Sequence, residues 1–331
     1  MISLVIPAFN EEKGLAELYG RVTDAAQQWN EEFELVVVDD GSRDRTLEIC
    51  ERLAAQDSRL KVLSLSRNFG HQAAISAGLA HARGDIISVM DADLQDPPEE
   101  LLPFLEKIRE GFDVVYAIRT KRKENLLKRA SYYLYYRLLR KLATLDIPLD
   151  AGDFCVMRAE VVSAINWLPE RNRFIRGLRT WVGFRQTGLA YERQPRFAGE
   201  PKYTFARLLR LALDGIFNFS YRPLQLIAAA GMAVGAVSVL LAIVVLTQYF
   251  TDWTIWGFNP HQARGWTSLM LVVLFSSATQ LFCLGILGEY IGRLFEEVKR
   301  RPVYLVKRRI NIEAEPPDHA STGRQADGDG G

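Results

Sequence analysis

The sequence predicts an α/β fold, a mostly parallel sheet with helices on its faces, followed by a C-terminal two-helix transmembrane hairpin. Three observations lead there. Apolar runs at Ile2–Ile6, Phe33–Val38, Leu60–Leu65, Asp85–Met90 and Phe112–Ala117 alternate with helical stretches, which is the spacing of right-handed βαβ units. Two later runs, Leu226–Thr247 and Gly265–Gly288, hold 22 and 24 residues without a charge, and about 20 suffice to cross a bilayer as a helix. Charge also divides along the chain: residues 1–118 carry 11 Lys/Arg against 22 Asp/Glu, and residues 119–331 carry 30 against 18.

Taken in order, Met1-Ile2-Ser3-Leu4-Val5-Ile6-Pro7 has no basic n-region and is broken by proline, so it reads as a first strand and not as a secretory signal. A helix over Glu11–Trp29 follows. Val36-Val37-Val38 shows no polar alternation, as in a strand buried on both faces, and Arg43–Ala55 reads as the next helix. Polar clusters end these strands: Asn10-Glu11-Glu12, Asp39-Asp40-Gly41-Ser42, Ser66-Arg67-Asn68 and the run from Asp91. In a parallel sheet they converge on one edge, where ligands bind.

From Arg119 the character changes. Arg119 to Lys141 holds nine Lys/Arg and one acid, interleaved with Tyr132, Tyr133, Tyr135 and Tyr136, the pattern of a helix lying among lipid headgroups. A nucleic-acid arm has a similar composition, but the nearby uncharged runs favour lipid. Arg171 to Arg210 repeats the bias, with ten Lys/Arg against Glu192 and Glu200. The expected organisation is a domain over 1–220, with interfacial helices at 119–145 and 203–220. A hairpin over 221–298 follows, spanning at 224–249 and 266–289, and then a tail over 299–331, basic at first and disordered from Asn311. Arg222, Lys299, Arg300, Arg301, Lys307, Arg308 and Arg309 flank the spans, while the loop between them holds only Arg264, offset by Asp252. Positive-inside logic puts the first domain and the tail in the cytoplasm, on a multi-pass membrane protein. Cys50, Cys155 and Cys283 stand singly, without metal-ligand spacing, and fit reduced thiols.

The strand Ile86–Met90 runs straight into Asp91-Ala92-Asp93-Leu94-Gln95-Asp96. Asp91 and Asp93 repel one another unless a cation sits between them, and Mg²⁺ or Mn²⁺ takes such oxygens while leaving positions for phosphate. Gln95 would add an oxygen ligand, and the alternative is an Asp-rich turn. A nucleotide-sugar's base and ribose need acceptors at the ends of the first two strands, where Pro7, Ala8, Asn10, Glu11, Asp39 and Asp40 stand. Asp39-Asp40-Gly41-Ser42 also fits a type I turn capping Arg43–Ala55. Neither a Walker pattern nor Gly-x-Gly-x-x-Gly follows the first strand, which argues against a P-loop enzyme and a dinucleotide-binding domain. Phosphate charge then falls to the metal and to Arg67, Arg119, Arg196 and Lys202. His71, opening a helix, is either a sugar or phosphate contact or a structural residue.

Pro7-Ala8-Phe9-Asn10-Glu11, Val38-Asp39-Asp40-Gly41-Ser42, Asn68-Phe69-Gly70-His71-Gln72-Ala73-Ala74 and Asp91-Ala92-Asp93-Leu94-Gln95 together resemble glycosyltransferase family 2. Within it the chain is similar to the polyprenyl-phosphate glycosyltransferases, the dolichyl-phosphate mannose synthases and bactoprenol glucosyltransferases, over nearly everything to Pro302. The resemblance implies a Rossmann-like GT-A domain, Asp39 on the nucleobase, and Asp91, Asp93 and Gln95 on Mg²⁺ or Mn²⁺. It implies Arg119, Arg129, Arg196, Lys202 and Tyr203 about the lipid phosphate, and a catalytic carboxylate within Asp150-Ala151-Gly152-Asp153-Phe154. Asp153 is the first choice for that carboxylate, Asp150 the second, and Asp93 is counted with them; capping of a helix Arg158–Trp167 is the alternative role for Asp150 and Asp153. Pro201 stands where relatives often have serine. Processive members carry Gln-x-x-Arg-Trp, whereas Arg176-Gly177-Leu178-Arg179-Thr180-Trp181 differs in residue and spacing, so transfer of one sugar is expected.

The implied activity is inverting, metal-dependent transfer of one hexose from a nucleotide-sugar, UDP-glucose favoured, to a polyprenyl phosphate such as undecaprenyl phosphate in the cytoplasmic leaflet. No nucleic acid is involved, and a symmetric homo-oligomer is compatible with the hairpin. A phosphate monoester has a second pKa of about 6, so such an acceptor arrives largely dianionic and needs no strong base. A lipid hydroxyl as acceptor would give Asp153 base duty. A non-catalytic membrane scaffold is the reading from a different class.

Overall fold

The computed structural model describes residues 1–120, 151–171, 173–192, 222–251 and 265–312. Its centre is an eight-stranded sheet. The first half alternates as expected: β1 (Ile2–Ala8), α1 (Leu15–Ala26), β2 (Phe33–Asp39), α2 (Thr46–Ala54), β3 (Leu60–Leu65), α3 (His71–His81) and β4 (Ile86–Val89). Then come α4 (Leu101–Arg109), β5 (Val114–Thr120), β6 (Ala151–Arg158), α5 (Ala159–Trp167), α6 (Ile175–Trp181) and β7 (Gln186–Glu192). Two long helices, α7 (Arg222–Thr251) and α8 (Trp266–Val298), precede β8 (Val306–Ile310).

The strand order is β7-β5-β6-β4-β1-β2-β3-β8. Pairings β1–β2, β1–β4, β2–β3 and β5–β7 are parallel, while β6 runs antiparallel to both neighbours and β8 antiparallel to β3. The sheet is therefore of Rossmann type and mostly parallel. Successive residues of β1 feed opposite layers, as pleating requires. Ile2, Leu4 and Ile6 pack with Leu18, Trp29, Phe104 and Leu105 on one face. Val5 joins Val38, Ile75, Val161 and Leu178 on the other. On that second face α3 lies so close to β1 that a Cβ at Gly78 would stand 2.2 Å from Val5 Cγ1, so only glycine fits.

At the edge remote from the strands' carboxyl ends, a buried polar cluster replaces apolar packing. Ser3 Oγ donates to Glu34 Oε1 at 2.5 Å, Arg83 N–H to the same oxygen at 2.7 Å, and Lys61 Nζ pairs with Oε2. Burial alone would raise the Glu34 carboxyl, but Lys61, Ser3 and the Arg83 amide outweigh it and hold it below its ordinary 4.5. A depressed carboxylate stabilises the fold above its unfolded value, and that contribution is lost as pH falls through the folded value. Wild type should therefore melt above Glu34→Gln at neutral pH, and the gap should close in acid below about 4.5. Thermal melts over a pH series check this, and a gap that persists unchanged in acid would refute it.

Three features differ from the sequence expectation. Arg119 and Thr120, expected to open an interfacial helix, complete β5 instead; the rest of 119–145, and all of 203–220, lie outside the described residues. Asp153 sits within β6, so it does not cap α5. Lys307, Arg308 and Arg309, read as tail, form β8 against β3. Their charges suit an exposed sheet edge, which cations protect from further pairing. Asn311 then fastens this strap: its Nδ2 donates to Ala54 O at 2.7 Å and Leu60 O at 2.9 Å. Asn311→Ala should cost about 1–2 kcal/mol by stranding those carbonyls; a melting temperature equal to wild type would show the strap is not held this way.

α7 and α8 occupy the stretches expected to span, and α8 runs on beyond residue 289 to Val298. Among the described residues, no helix is long and apolar enough to cross a membrane. Both helices nevertheless present large apolar side chains outward, Met232, Phe250, Leu269, Phe275 and Leu281 among them. Cys50 and Cys155 are buried free thiols and Cys283 is free.

Candidate active site

Parallel pairing brings the carboxyl ends of β1, β2, β3 and β4 to one edge, so Ala8, Asp39 and the loops after Leu65 and Val89 meet there. β6 enters the sheet at the same edge because it runs the other way. Its register pairs Val89 with Cys155, and two residues further on that register sets Asp91 level with Asp153. Sequence distance hides this pairing; strand direction creates it. Arg119, next to last in β5, lies at this edge opposite Tyr191 of β7, although its side chain is not among those described.

Pro7 and Ala8 are buried at the end of β1, paired with Val38 and Asp39. The loops after β1 and β2 are sewn together. Asn10 N–H donates to Ser42 Oγ at 3.0 Å, Asn10 Oδ1 accepts from Arg43 N–H at 2.9 Å, and Glu11 N–H donates to Thr46 Oγ1 at 2.9 Å. Asn10 takes a left-handed conformation, φ 56°, tolerable for Asn because its short amide bonds locally. Asp39, 1% exposed, accepts from Ser42 N–H and from Ser64 Oγ–H. It closes its own turn but caps no helix, since α2 begins only at Thr46 and has no side-chain cap.

Asp40 does something the sequence did not suggest. Its two oxygens accept from Phe69 N–H at 2.7 Å and Gly70 N–H at 2.9 Å. It thus fastens the loop that delivers His71, the first residue of α3, and not helix α2. Burial raises its carboxyl despite these two amides. Arg67 stands exposed in the same loop, its guanidinium 4.2 Å from the Phe69 ring centroid.

His71 is the bridge of the site. Its Nε2 lies 3.3 Å from Asp153 Oδ2 and 3.5 Å from Asp91 Oδ1. Arg176, from the first turn of α6, grips Asp153 with both arms of its fork: Nε donates to Oδ1 at 2.7 Å and Nη2 to Oδ2 at 2.9 Å. The two helices are tied at this point, because Gln72 Oε1 accepts from Ile175 N–H at 2.8 Å. Burial would raise Asp153, but the Arg176 guanidinium and His71 hold it well below the usual carboxylate range. Burial would lower His71, but Asp153 and Asp91 raise it to about 9. Burial raises Asp91; His71 opposes, and Asp96, Asp153 and Asp93 add to the rise.

That last shift bears on a metal. Asp91 is a carboxylate in a crowd of carboxylates, and a divalent cation would relieve it. Asp93 Oδ1 accepts Gln95 N–H at 3.2 Å, and Leu94 between them adopts φ 59° while buried, a strained turn of the kind that clusters at functional sites. Asp96 is buried and accepts the Tyr191 hydroxyl. Among the described residues no group of three or more His, Cys, Asp or Glu is arranged to hold a metal by itself. One or two carboxylates completed by substrate phosphates is the usual Mg²⁺ arrangement, and the all-oxygen set of Asp91 and Asp93 fits it.

The edge thus gathers Pro7, Ala8, Asn10, Glu11, Asp39, Asp40, Arg67, His71, Asp91, Asp93, Gln95 and Asp153. Asp150, Arg129, Arg196, Lys202 and Tyr203 lie outside the described residues. The residue that sequence reasoning missed is Arg176. It appears there only as part of a motif that fails to match, and a basic residue preceding a Gly-Leu-Arg run carries no local signal for its carboxylate partner 23 positions earlier.

Comparison with known proteins supplies the context. Residues 3–165 match the model for glycosyl transferase family 2. An uncharacterized glycosyltransferase of Bacillus subtilis, YkcC, is 45% identical over 94% of this chain and 94% of its own. A prophage-derived bactoprenol glucosyl transferase of Shigella flexneri is 41% identical over 93% of this chain and 97% of its own. A Mycobacterium tuberculosis glucosyl-3-phosphoglycerate synthase, solved with Mn²⁺ and UDP, superposes at TM-score 0.47 with 21% identity over 66% of this chain and 77% of that one, too slight a likeness to carry its ligands across.

Proposed function

The chain belongs to glycosyl transferase family 2 and is a glycosyltransferase, and on that premise we propose that it moves one hexose from a nucleotide-sugar, UDP-glucose by preference, onto a polyprenyl phosphate at the cytoplasmic face of a membrane. The observation that carries this reading is the state of Asp153. It faces Asp91 across the sheet edge yet is clamped by Arg176 and bridged by His71, so it is a poor proton acceptor. Such a site suits an acceptor that arrives already anionic, as a phosphate monoester does at neutral pH. A lipid hydroxyl would need a base, and the described residues offer Asp153 only in this engaged form. The likeness to the bactoprenol glucosyl transferase supports both the lipid and the sugar.

In this mechanism an acceptor phosphate oxygen attacks the anomeric carbon as the bond to the donor's diphosphate breaks. The configuration inverts, and the nucleoside diphosphate leaves. A divalent cation held by Asp91 and Asp93, with Gln95 beside them, would supply Lewis-acid stabilisation of the charge on that leaving group. Asp39 and the loop of Asn10 and Glu11 would receive the nucleoside. Asp40 holds the His71 loop in register, and Asp153, kept ionised, orients the groups about the reacting centre.

A membrane anchor is part of the proposal. The uncharged runs lie within α7 and α8, and Met232 (71% exposed), Phe250 (79%) and Phe275 (69%) would otherwise stand in water, more apolar surface than soluble chains leave exposed. Arg129, Arg196, Lys202 and Tyr203 would meet the lipid phosphate beside Arg119.

The test is transfer itself. Detergent-solubilised protein with radiolabelled UDP-glucose, undecaprenyl phosphate and Mn²⁺ or Mg²⁺ should place label in the organic phase, and EDTA should abolish it. Label on diacylglycerol but not on the polyprenyl phosphate would favour a hydroxyl acceptor. No label across a donor panel that includes GDP-mannose would leave a scaffold.

A further inference from the structure

We propose that Arg176 is a positioning residue of the transfer reaction, fixing the Asp153 carboxylate, and through it the His71 ring, against Asp91. This deepens the functional reading above and rests on it.

The geometry is specific to a guanidinium. Arg176 Nε and Nη2 reach the two oxygens of one carboxylate at 2.7 and 2.9 Å, a fork-to-fork pair that fixes the plane of Asp153 as well as its position. An ammonium in its place would carry the charge without the plane. With that plane set, Asp153 Oδ2 lies 3.3 Å from His71 Nε2, and the same nitrogen lies 3.5 Å from Asp91 Oδ1. Through Asp153 and His71, Arg176 is linked to the reacting edge. It comes from the helix α6, and its side chain is 29% exposed against 9% for Asp153.

The fold also fixes where Arg176 stands. Ile175 N–H is held by Gln72, the residue after His71, so the turns bearing His71 and Arg176 are tied to one another. The last turn of α8 and the segment after it touch both approaches to that pair. Glu297 Oε1 accepts from Arg171 N–H at 3.0 Å, five residues before Arg176, and Leu305 O accepts from Ser66 N–H at 2.9 Å, five residues before His71. Tyr304 packs into the same apolar cluster as Phe69. The end of α8 and the residues that follow it therefore contact the two segments that set Asp153.

The experiment measures kcat and the nucleotide-sugar KM for wild type, Arg176→Ala, Arg176→Lys, Asp153→Asn and the Arg176→Ala/Asp153→Asn double variant, all full-length in detergent, beside a thermal melt of each. Removing a residue that orients a site group typically costs about tenfold to a hundredfold. The expected result is a kcat loss of that order for Arg176→Ala with donor KM within about twofold of wild type. The double variant should be no slower than the slower single variant, because both substitutions break one unit. Arg176→Lys, which keeps the charge and so guards against simple misfolding, should still fall several-fold short of wild type. Wild-type kcat in either Arg176 variant, or losses that multiply in the double variant, would overturn the inference. Silence of the wild type itself would instead overturn the functional reading.

Discussion

Asp91→Asn should cut transfer about a thousandfold, while Asp153→Asn should cost about tenfold to a hundredfold. Asn keeps the shape of Asp91 but removes the charge that, with Asp93, would hold a divalent cation on the donor diphosphate. Lewis-acid stabilisation of a leaving phosphate contributes several kcal/mol. At about 1.4 kcal/mol per tenfold, a loss of about 4 kcal/mol is a thousandfold. Asp153 faces Asp91 but is already neutralised by Arg176 and His71. If it orients groups and removes no proton, its loss is the smaller one, about tenfold to a hundredfold. Steady-state kcat for the two variants, with melts that confirm both are folded, decides this. Equal or greater loss at Asp153 would mean that it takes a proton, and the phosphate-acceptor argument would fail with it.

The second large effect comes from a residue with no side chain. Gly41 holds φ 68°, and a Cβ there would stand 2.5 Å from the carbonyl carbon of Arg67 and 2.8 Å from Asn68 N. Those are backbone atoms, so nothing can swing aside. A left-handed conformation costs an L-residue about 1–2 kcal/mol, and overpacking against fixed atoms adds about 1–3. Gly41→Ala should therefore destabilise the domain by about 3 kcal/mol. It should also lower kcat disproportionately, because the displaced segment is the one that Asp40 fastens and that carries His71 into the site. Denaturant unfolding and transfer rates on the same preparation test both halves. A variant with wild-type stability would show that the two loops can separate freely.

The order in which these parts became legible follows from their physics. β1 to β5 could be read because strands in βαβ units are apolar runs closed by polar loops; β3 falls on Leu60–Leu65 as expected, and the others differ at their ends. The Asp91 run and His71 were visible because short local patterns carry them. β6 and β8 were not. β6 returns from a distant segment and pairs antiparallel, which no local period reveals. β8 is Val306-Lys307-Arg308-Arg309-Ile310, an edge strand whose charges look like a tail until β3 is beside it. Resemblance alone singles out Asp153 in the sequence, where a helix cap is the alternative, and its place on β6 removes that alternative. Arg176 stayed hidden because its meaning lies wholly in a partner brought to it by the fold. For Asp40 the sequence points to the nucleotide or to the turn before α2, whereas its oxygens hold the loop after β3.

The central claim is that the sugar passes to a phosphate with inversion. Its most direct measurement is a proton–phosphorus correlation NMR spectrum of the purified lipid product made from UDP-glucose. An anomeric proton of β configuration coupled to phosphorus is the result this account predicts. An anomeric proton with no phosphorus coupling, or one of α configuration, would contradict it.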